Sequence, residues 1–263
     1  MAVRRPVVVL PAPLRRVDLN PKDQSTHPVR FDWGPMGLRT LAPEADVVVI
    51  VDVLSFTTCV DVALGRGAEV FPHKWHDGTE DDYAAARDAQ VARKGDGGGG
   101  WWLSASSLAT VPAGIRLVLP SPNGSALAFG AAEAGASRVV AACLRNGAAV
   151  GSGLADRGLT VAVIAAGERW KGTTGPMRVA LEDLLGAGVV LSMFDPDDLS
   201  SEARAAVAAW RDAEGDLVER LRACASGREL IGRGRGPDVD FAAQAHVSDL
   251  VPTLVVDRFV DLP

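Results

Sequence analysis

Residues 47–58, VVVIVDVLSFTT, constrain the fold more than any other stretch. An apolar, β-branched run into Val51 has no polar residue in its alternation, so it reads as a strand buried on both faces. Asp52 then ends the run, and Ser55, Thr57 and Thr58 follow. Residues 59–64 have the apolar rhythm of a helix, closed by Gly65 and Gly67. A carboxylate at the C-terminal end of a buried strand, followed by hydroxyls at a helix start, is where open α/β sheets bind ligands. The helix N-terminus adds unpaired N–H groups and a positive dipole end, which favour an anion. The same residues also suit a local role, with Asp52 closing the turn and the threonines capping the helix. Both readings stay open at this point.

The 263-residue chain is 48% hydrophobic, enough for a sizeable core. Residues 1–27 are rich in Pro and Arg without a period and are expected to be partly disordered. Residues 28–263 are expected to form a single α/β domain. The net charge of −6, with scattered Arg and Lys, gives no electrostatic case for nucleic acid or an anionic membrane surface. No apolar run reaches the ~20 residues of a membrane span, and no secretory signal is visible, so a cytoplasmic location is expected. Cys59, Cys143 and Cys224 lie far apart in apolar settings and show no metal spacing. Their odd number argues against a disulfide framework, which leaves core thiols.

Alternation over residues 27–33 predicts an edge strand, and residues 34–40 a helical turn. A strand over 68–72 would complete a βαβ unit with a right-handed crossover. Residues 79–93 read as a surface helix, followed by the flexible loop KGDGGGG beside Trp101 and Trp102. Further strands are expected over 114–119, 138–142, 159–165 and 251–259. Helices are expected over 126–134, with Ser125 as N-cap, from 148, and over 179–191. One long amphipathic helix is expected over 200–225, with short ones at 226–230 and 238–245. The order predicts a three-layer α/β/α architecture with a mostly parallel or mixed central sheet. Four strands end in polar clusters: Asp52 with Ser55, Thr57 and Thr58; Asn123-Gly124-Ser125; Arg145-Asn146; and Glu168-Arg169. In a mostly parallel sheet all four share one edge, and that convergence points to an active site.

No GxGxxG follows a strand, and GxxxxGKS/T, GxSxG and HExxH are absent, which weakens dinucleotide, nucleotide, α/β-hydrolase and zincin readings. His73 and His76, next to Asp77-Gly78, read as an exposed loop rather than a metal pair. What remains is carboxylates, Arg, Asn and hydroxyls at strand ends. Hard carboxylate oxygens suit Mg²⁺, and Arg and helix N-termini suit phosphate or carboxylate oxygens. Phosphoryl transfer needs mainly positioning and charge neutralisation, which such a set supplies.

Six pieces in order, VVVIVDVLSFTT (47–58), SPNGSALA (121–128), VVAACLRNGAAV (139–150), VAVIAAGERW (161–170), ALEDLLGAGVV (180–190) and SGREL…DVDFAAQAHVSDLVP (226–252), carry a resemblance. Together they resemble the 2-phosphosulfolactate phosphatase family, Mg²⁺-dependent acid phosphatases of α/β fold. The resemblance implies a phosphatase acting on a small phosphorylated hydroxy acid, 2-phosphosulfolactate or a related phosphoester. Asp52, Glu168 and Asn123 would be catalytic. Asp52, with Glu182 and Asp183, would hold Mg²⁺. Ser55, Thr57, Thr58, Gly124, Ser125, Arg145, Asn146 and Arg169 would bind substrate. A homodimer is left open. The chain departs from the family at Ser55, where an Arg is usual, and at Ser121-Pro122-Asn123-Gly124-Ser125, where Thr-Thr-Asn-Gly-Thr is usual. The family's Gly-Glu-Arg and Gly-Asn-Ser-Pro segment is also degraded, over residues 92–106. The loss at Ser55 predicts a less electropositive pocket and a poor fit to phosphosulfolactate, unless Arg30, Arg93 or Arg169 reaches the same spot. The alternative is a non-catalytic relative that binds an anionic metabolite.

Overall fold

The computed structural model describes residues 21–74, 78–93, 100–155, 157–170 and 175–262. The expectations for residues 1–20, for the loop at 94–99 and for His76 fall outside them. The valine run forms β2 (Val47–Val51), every residue of which is buried. Before it come β1 (Val29–Trp33) and α1 (Gly34–Leu41), and after it α2 (Phe56–Gly65) and β3 (Glu69–Lys74). Then follow α3 (Glu80–Ala85), β4 (Gln90–Val91), α4 (Ala105–Leu108), β5 (Arg116–Ser121) and α5 (Gly124–Glu133). Next are β6 (Arg138–Ala142), α6 (Gly147–Leu154), β7 (Val161–Ala165) and a two-stranded ribbon, β8 (Glu168–Arg169) with β9 (Met177–Arg178). The C-terminal third holds α7 (Leu181–Leu191), α8 (Ser201–Ala213), α9 (Leu217–Ala223), α10 (Ala225–Gly232) and α11 (Gly236–Ala242). It closes with β10 (Pro252–Val255) and β11 (Arg258–Asp261).

Among the described residues, nine strands form one mixed, mostly parallel sheet in the order β1-β7-β2-β6-β10-β11-β3-β5-β4. β1, β7, β2 and β6 are parallel to one another, as are β3, β5 and β4. The β10–β11 hairpin joins the two groups through antiparallel pairings to β6 and β3. Three successive antiparallel steps reverse the direction, so β3 runs opposite to β2. This corrects the expected βαβ unit: β6 and β7 occupy both edges of β2, and β3 pairs with β5 and β11 instead.

The alternating side chains of β2 divide the core. Val47, Val49 and Val51 pack with Leu185, Val189 and Trp210 of α7 and α8. Val48 and Ile50 pack with Leu38, Phe56, Val60 and Leu127 of α1, α2 and α5. Each such side chain contributes about 1.5–3 kcal/mol on burial. α7 lies unusually close to β2: a Cβ on Gly186 would stand 2.7 Å from Val53 and 2.8 Å from Val51. On the other face α5 packs against β2, β3 and β5 together. A shared helix layer therefore brings the loops after β2 and β5 to one place although the strands run opposite ways.

Three further expectations are corrected. Residues 79–93 hold the short α3 and then β4, because Asp88 turns the chain at φ +48° and β4 completes the sheet edge on β5. The predicted long helix over 200–225 breaks into α8, a 3₁₀ turn at Glu214–Asp216 and α9, and α10 starts at Ala225. Asn123, rather than Ser125, occupies the N-cap position of α5.

Candidate active site

Asp52 leaves β2 as the first polar residue and stays buried, 6% exposed. Its Oδ1 accepts the Phe56 N–H at 3.2 Å and its Oδ2 the Gly124 N–H at 2.8 Å. One carboxylate thus sits at the N-termini of both α2 and α5, where two helix dipoles favour negative charge. Gly124 permits this: a Cβ there would stand 2.4 Å from the Phe56 ring and 2.8 Å from Asp52 Oδ2. The Thr57 hydroxyl donates to the Asp52 carbonyl at 2.8 Å and accepts the Asp52 N–H at 3.0 Å. The Thr58 hydroxyl donates to the Val53 carbonyl at 2.8 Å. Both threonines lock the turn that aims Asp52.

Asp52 opens onto a cavity of about 220 Å³, which it lines with Ser55, Asn123, Glu168 and Arg169. That volume equals about seven waters of liquid, the scale of a small metabolite. Asn123 Nδ2 donates to Glu168 Oε1 at 3.2 Å, and the Arg169 N–H donates to the same oxygen at 2.8 Å. Arg169 Nη1 donates to the Gly175 carbonyl at 3.0 Å, while its Nε is buried without a partner among the described residues. Leu54, Leu103 and the largely exposed Trp170 supply apolar wall. From the segment around the end of α10 come Glu229, Arg233 and Arg235.

Burial, reinforced by the negative charges of Glu168 and Glu182, pushes the Asp52 carboxyl up to about 7 against the pull of the Phe56 and Gly124 N–H groups. Asp183 lies behind this site. Its Oδ1 accepts the Val53 N–H at 2.7 Å and its Oδ2 the Gly167 N–H at 2.9 Å, which ties the ends of β2 and β7 together. Burial, then Glu182 and Asp52, hold it well above the usual carboxylate range. Glu182 is buried, and its Oε2 faces the Cys224 thiol at 3.4 Å. Among the described residues no three of His, Cys, Asp and Glu gather as a metal group. Of the expected set of Asp52, Glu182 and Asp183, only Asp52 lines the cavity, while Asp183 is turned to backbone amides and Glu182 to Cys224. A single Mg²⁺ asks for less, one or two carboxylates with the remaining positions water. Asp52 and Glu168 fit that demand: two hard-oxygen donors on one cavity, with the ionised form of Asp52 made costlier by the charge of Glu168.

A family model described as 2-phosphosulpholactate phosphatase matches residues 38–257, a span that contains every cavity-lining residue named above. This chain belongs to the 2-phosphosulfolactate phosphatase family. Probable 2-phosphosulfolactate phosphatases are among its relatives. That of Deinococcus radiodurans is 34% identical over 226 residues, covering 80% of this chain and 88% of the relative. That of Synechococcus sp. strain CC9605 is 33% identical over 229 residues, with 80% and 89% covered. That of Symbiobacterium thermophilum is 29% identical over 229 residues, with 81% and 93% covered. Membership in the 2-phosphosulfolactate phosphatase family places the chain among phosphoric monoester hydrolases. No helix among the described residues is long and apolar enough to cross a membrane.

Several residues expected to bind substrate in this phosphatase family lie elsewhere. Thr57 and Thr58 are buried in the β2–α2 turn, with their hydroxyls on backbone carbonyls. The Ser125 hydroxyl faces the His73 carbonyl at 2.6 Å and also the Ser121 carbonyl. Arg145 Nε donates to the buried Asp61 at 2.8 Å, in a separate cleft with Phe241 and Ser248. Asn146 accepts the Cys143 N–H at 2.8 Å and donates to the carbonyls of Ala141 and Leu250. The Arg145-Asn146 cluster thus braces the end of β6, and three of the four polar strand ends converge, not four. His73 is a buried ring, edge-on to Tyr83 at 4.7 Å. All three thiols are buried, as expected of core cysteines, and burial raises each: Cys143 and Cys224 to about 12, Cys59 well above its usual value. The sequence reading passed over Arg233 and Arg235. Their signal is the run Gly-Arg-Gly-Arg-Gly at 232–236, which no local pattern assigns to the cavity.

Proposed function

We propose that this protein is a Mg²⁺-dependent phosphatase that hydrolyses 2-phosphosulfolactate or a closely related small phosphorylated hydroxy acid. The carrying observation is one small cavity in which Asp52 and Glu168 stand beside Asn123 and Arg169. Asp52 and Glu168 would hold the ion, which when bound neutralises phosphoryl oxygens during transfer. The Phe56 and Gly124 N–H groups hold the Asp52 oxygens in place, and the Asn123 and Arg169 bonds orient Glu168. Arg169 lines the cavity and brings a guanidinium charge to bear on an anionic oxygen there. Leu54, Leu103 and Trp170 line the cavity beside these polar groups.

Ser55 lines the same cavity as Arg169, so the positive charge missing at residue 55 is supplied from β8. Arg30 and Arg93 do not serve: Arg30 donates to the carbonyls of Asp23 and Glu44, and Arg93 pairs with Asp81. This favours phosphosulfolactate as a substrate over the poor fit predicted from Ser55 alone.

The test is phosphate release from 2-phosphosulfolactate in EDTA, after Mg²⁺ add-back, and with Asp52→Asn. Release that needs Mg²⁺ and vanishes in a folded Asp52→Asn protein is expected. Full activity in EDTA would remove the metal from the reading, and no release under any condition would leave the anion-binding relative.

A further inference from the structure

The cavity divides its charges in a way that phosphate release alone does not require. The carboxylates Asp52 and Glu168 follow strands of the sheet, whereas Arg233 and Arg235 come from the segment joining α10 to α11. The two arginines are held differently. Arg235 Nε donates to Asp238 Oδ2 at 2.7 Å, and Nη2 donates to the Leu103 carbonyl. Asp238 is itself buried and accepts from the hydroxyls of Ser104 and Ser106 at 2.6 and 2.7 Å. A guanidinium has five donors, so these bonds fix Arg235 and leave others over. Arg233 meets Glu229 Oε1 only at 3.6 Å, with side-chain exposures of 67% and 58%. A loose, solvated pair of this kind yields to a better-placed anion.

We propose that Arg233 is a specificity-determining residue that binds a second anionic group of the substrate, a carboxylate or sulfonate, beside the fixed Arg235. The identity of the reaction rests on the phosphatase reading above; the binding claim does not. A planar guanidinium matches the paired oxygens of either group bidentately, which an ammonium cannot do. The phosphate then lies toward Asp52 and Glu168, and the second anion toward the α10–α11 segment. A phosphomonoester with no second anion forgoes the contact.

Steady-state kinetics on wild type, Arg233→Gln and Arg233→Lys, with 2-phosphosulfolactate and p-nitrophenyl phosphate, test it. Arg233→Gln should lower kcat/KM for phosphosulfolactate about tenfold through KM, the scale of one charged contact. Its kcat, and its activity on p-nitrophenyl phosphate, should stay within about twofold. Arg233→Lys should recover part of the loss. Equal loss on both substrates, or no loss on either, overturns the proposal. Calorimetry with sulfolactate, which keeps the carboxylate and sulfonate but lacks phosphate, separates this idea from the phosphatase reading. Wild type should bind it about tenfold more tightly than Arg233→Gln; equal affinity, or no binding by wild type, overturns the proposal. Sulfolactate binding that depends on Arg233, without phosphate release from either ester, would sink the phosphatase reading and leave the proposal standing.

Discussion

Asp52 accepts N–H donors from two helices and still holds its proton to about 7, because burial and two neighbouring carboxylates outweigh both donors. A carboxyl raised in the folded state binds a proton that the unfolded chain has lost, so its contribution to stability falls as pH rises from about 4 to about 7. Asp183 is raised as well and adds to the same slope. Urea midpoints at pH 5 and pH 7.5, without divalent ions, should show wild type losing stability and Asp52→Asn losing clearly less. Identical slopes would mean that Asp52 ionises normally. Ser55 supports a second expectation. With Arg169 already on the cavity, Ser55→Arg should leave kcat/KM for phosphosulfolactate unchanged within about threefold or lower it, through crowding of a small cavity. A rise of tenfold or more would show that the cavity lacks positive charge.

At the scale of elements, the α10–α11 segment is held to the rest of the site by Asp238. Its Oδ1 meets the Ser104 hydroxyl and the Ser106 hydroxyl and N–H, and its Oδ2 meets Arg235. Burial alone would raise this carboxyl, but these bonds win and hold it below its usual 3.8. Its stabilisation is therefore complete above about pH 4 and fades as pH falls through the lowered value. Asp238→Ala leaves Arg235 and two hydroxyls without their acceptor, which costs about 3–5 kcal/mol by the precedent of broken buried pairs. Urea unfolding at pH 7 should show that loss. A difference under about 1 kcal/mol would show that the segment is held by its apolar contacts instead. Glycines act at the same scale: a Cβ on Gly188 of α7 would stand 2.3 Å from the Ala206 carbonyl of α8, so the two helices meet at backbone distance.

For the whole molecule, the β10–β11 hairpin is the joint between two parallel groups that run in opposite directions. Phe259 of β11 is fully buried, pairs with Val70 of β3 and stands edge-on to Phe56 of α2 at 6.1 Å. One side chain thereby touches the joint, the second group and the helix that opens on Asp52. Phe259→Ala should cost about 3–5 kcal/mol, read from the urea midpoint, and lower phosphate release in proportion to unfolding. A loss under about 1.5 kcal/mol would show that the two groups are held mainly by the α2 and α5 layer.

The sequence by itself determined β2, the polar stop at Asp52, the strands at β5, β6 and β7, and the membership carried by six ordered pieces. These follow from side chains within a few residues of one another: apolar runs, a carboxylate that ends one, and good helix formers behind it. It also placed Asp52, Asn123, Glu168 and Arg169 at strand ends, and those are the groups that meet. Only the tertiary structure decided that β3 lies beyond β11, that Arg145 and Asn146 brace β6, and that Asp183 turns to the amides of Val53 and Gly167. It alone brought Arg233 and Arg235 to the cavity. Strand order and side-chain partnership depend on which distant surfaces bury each other best, and local periodicity carries no record of that choice.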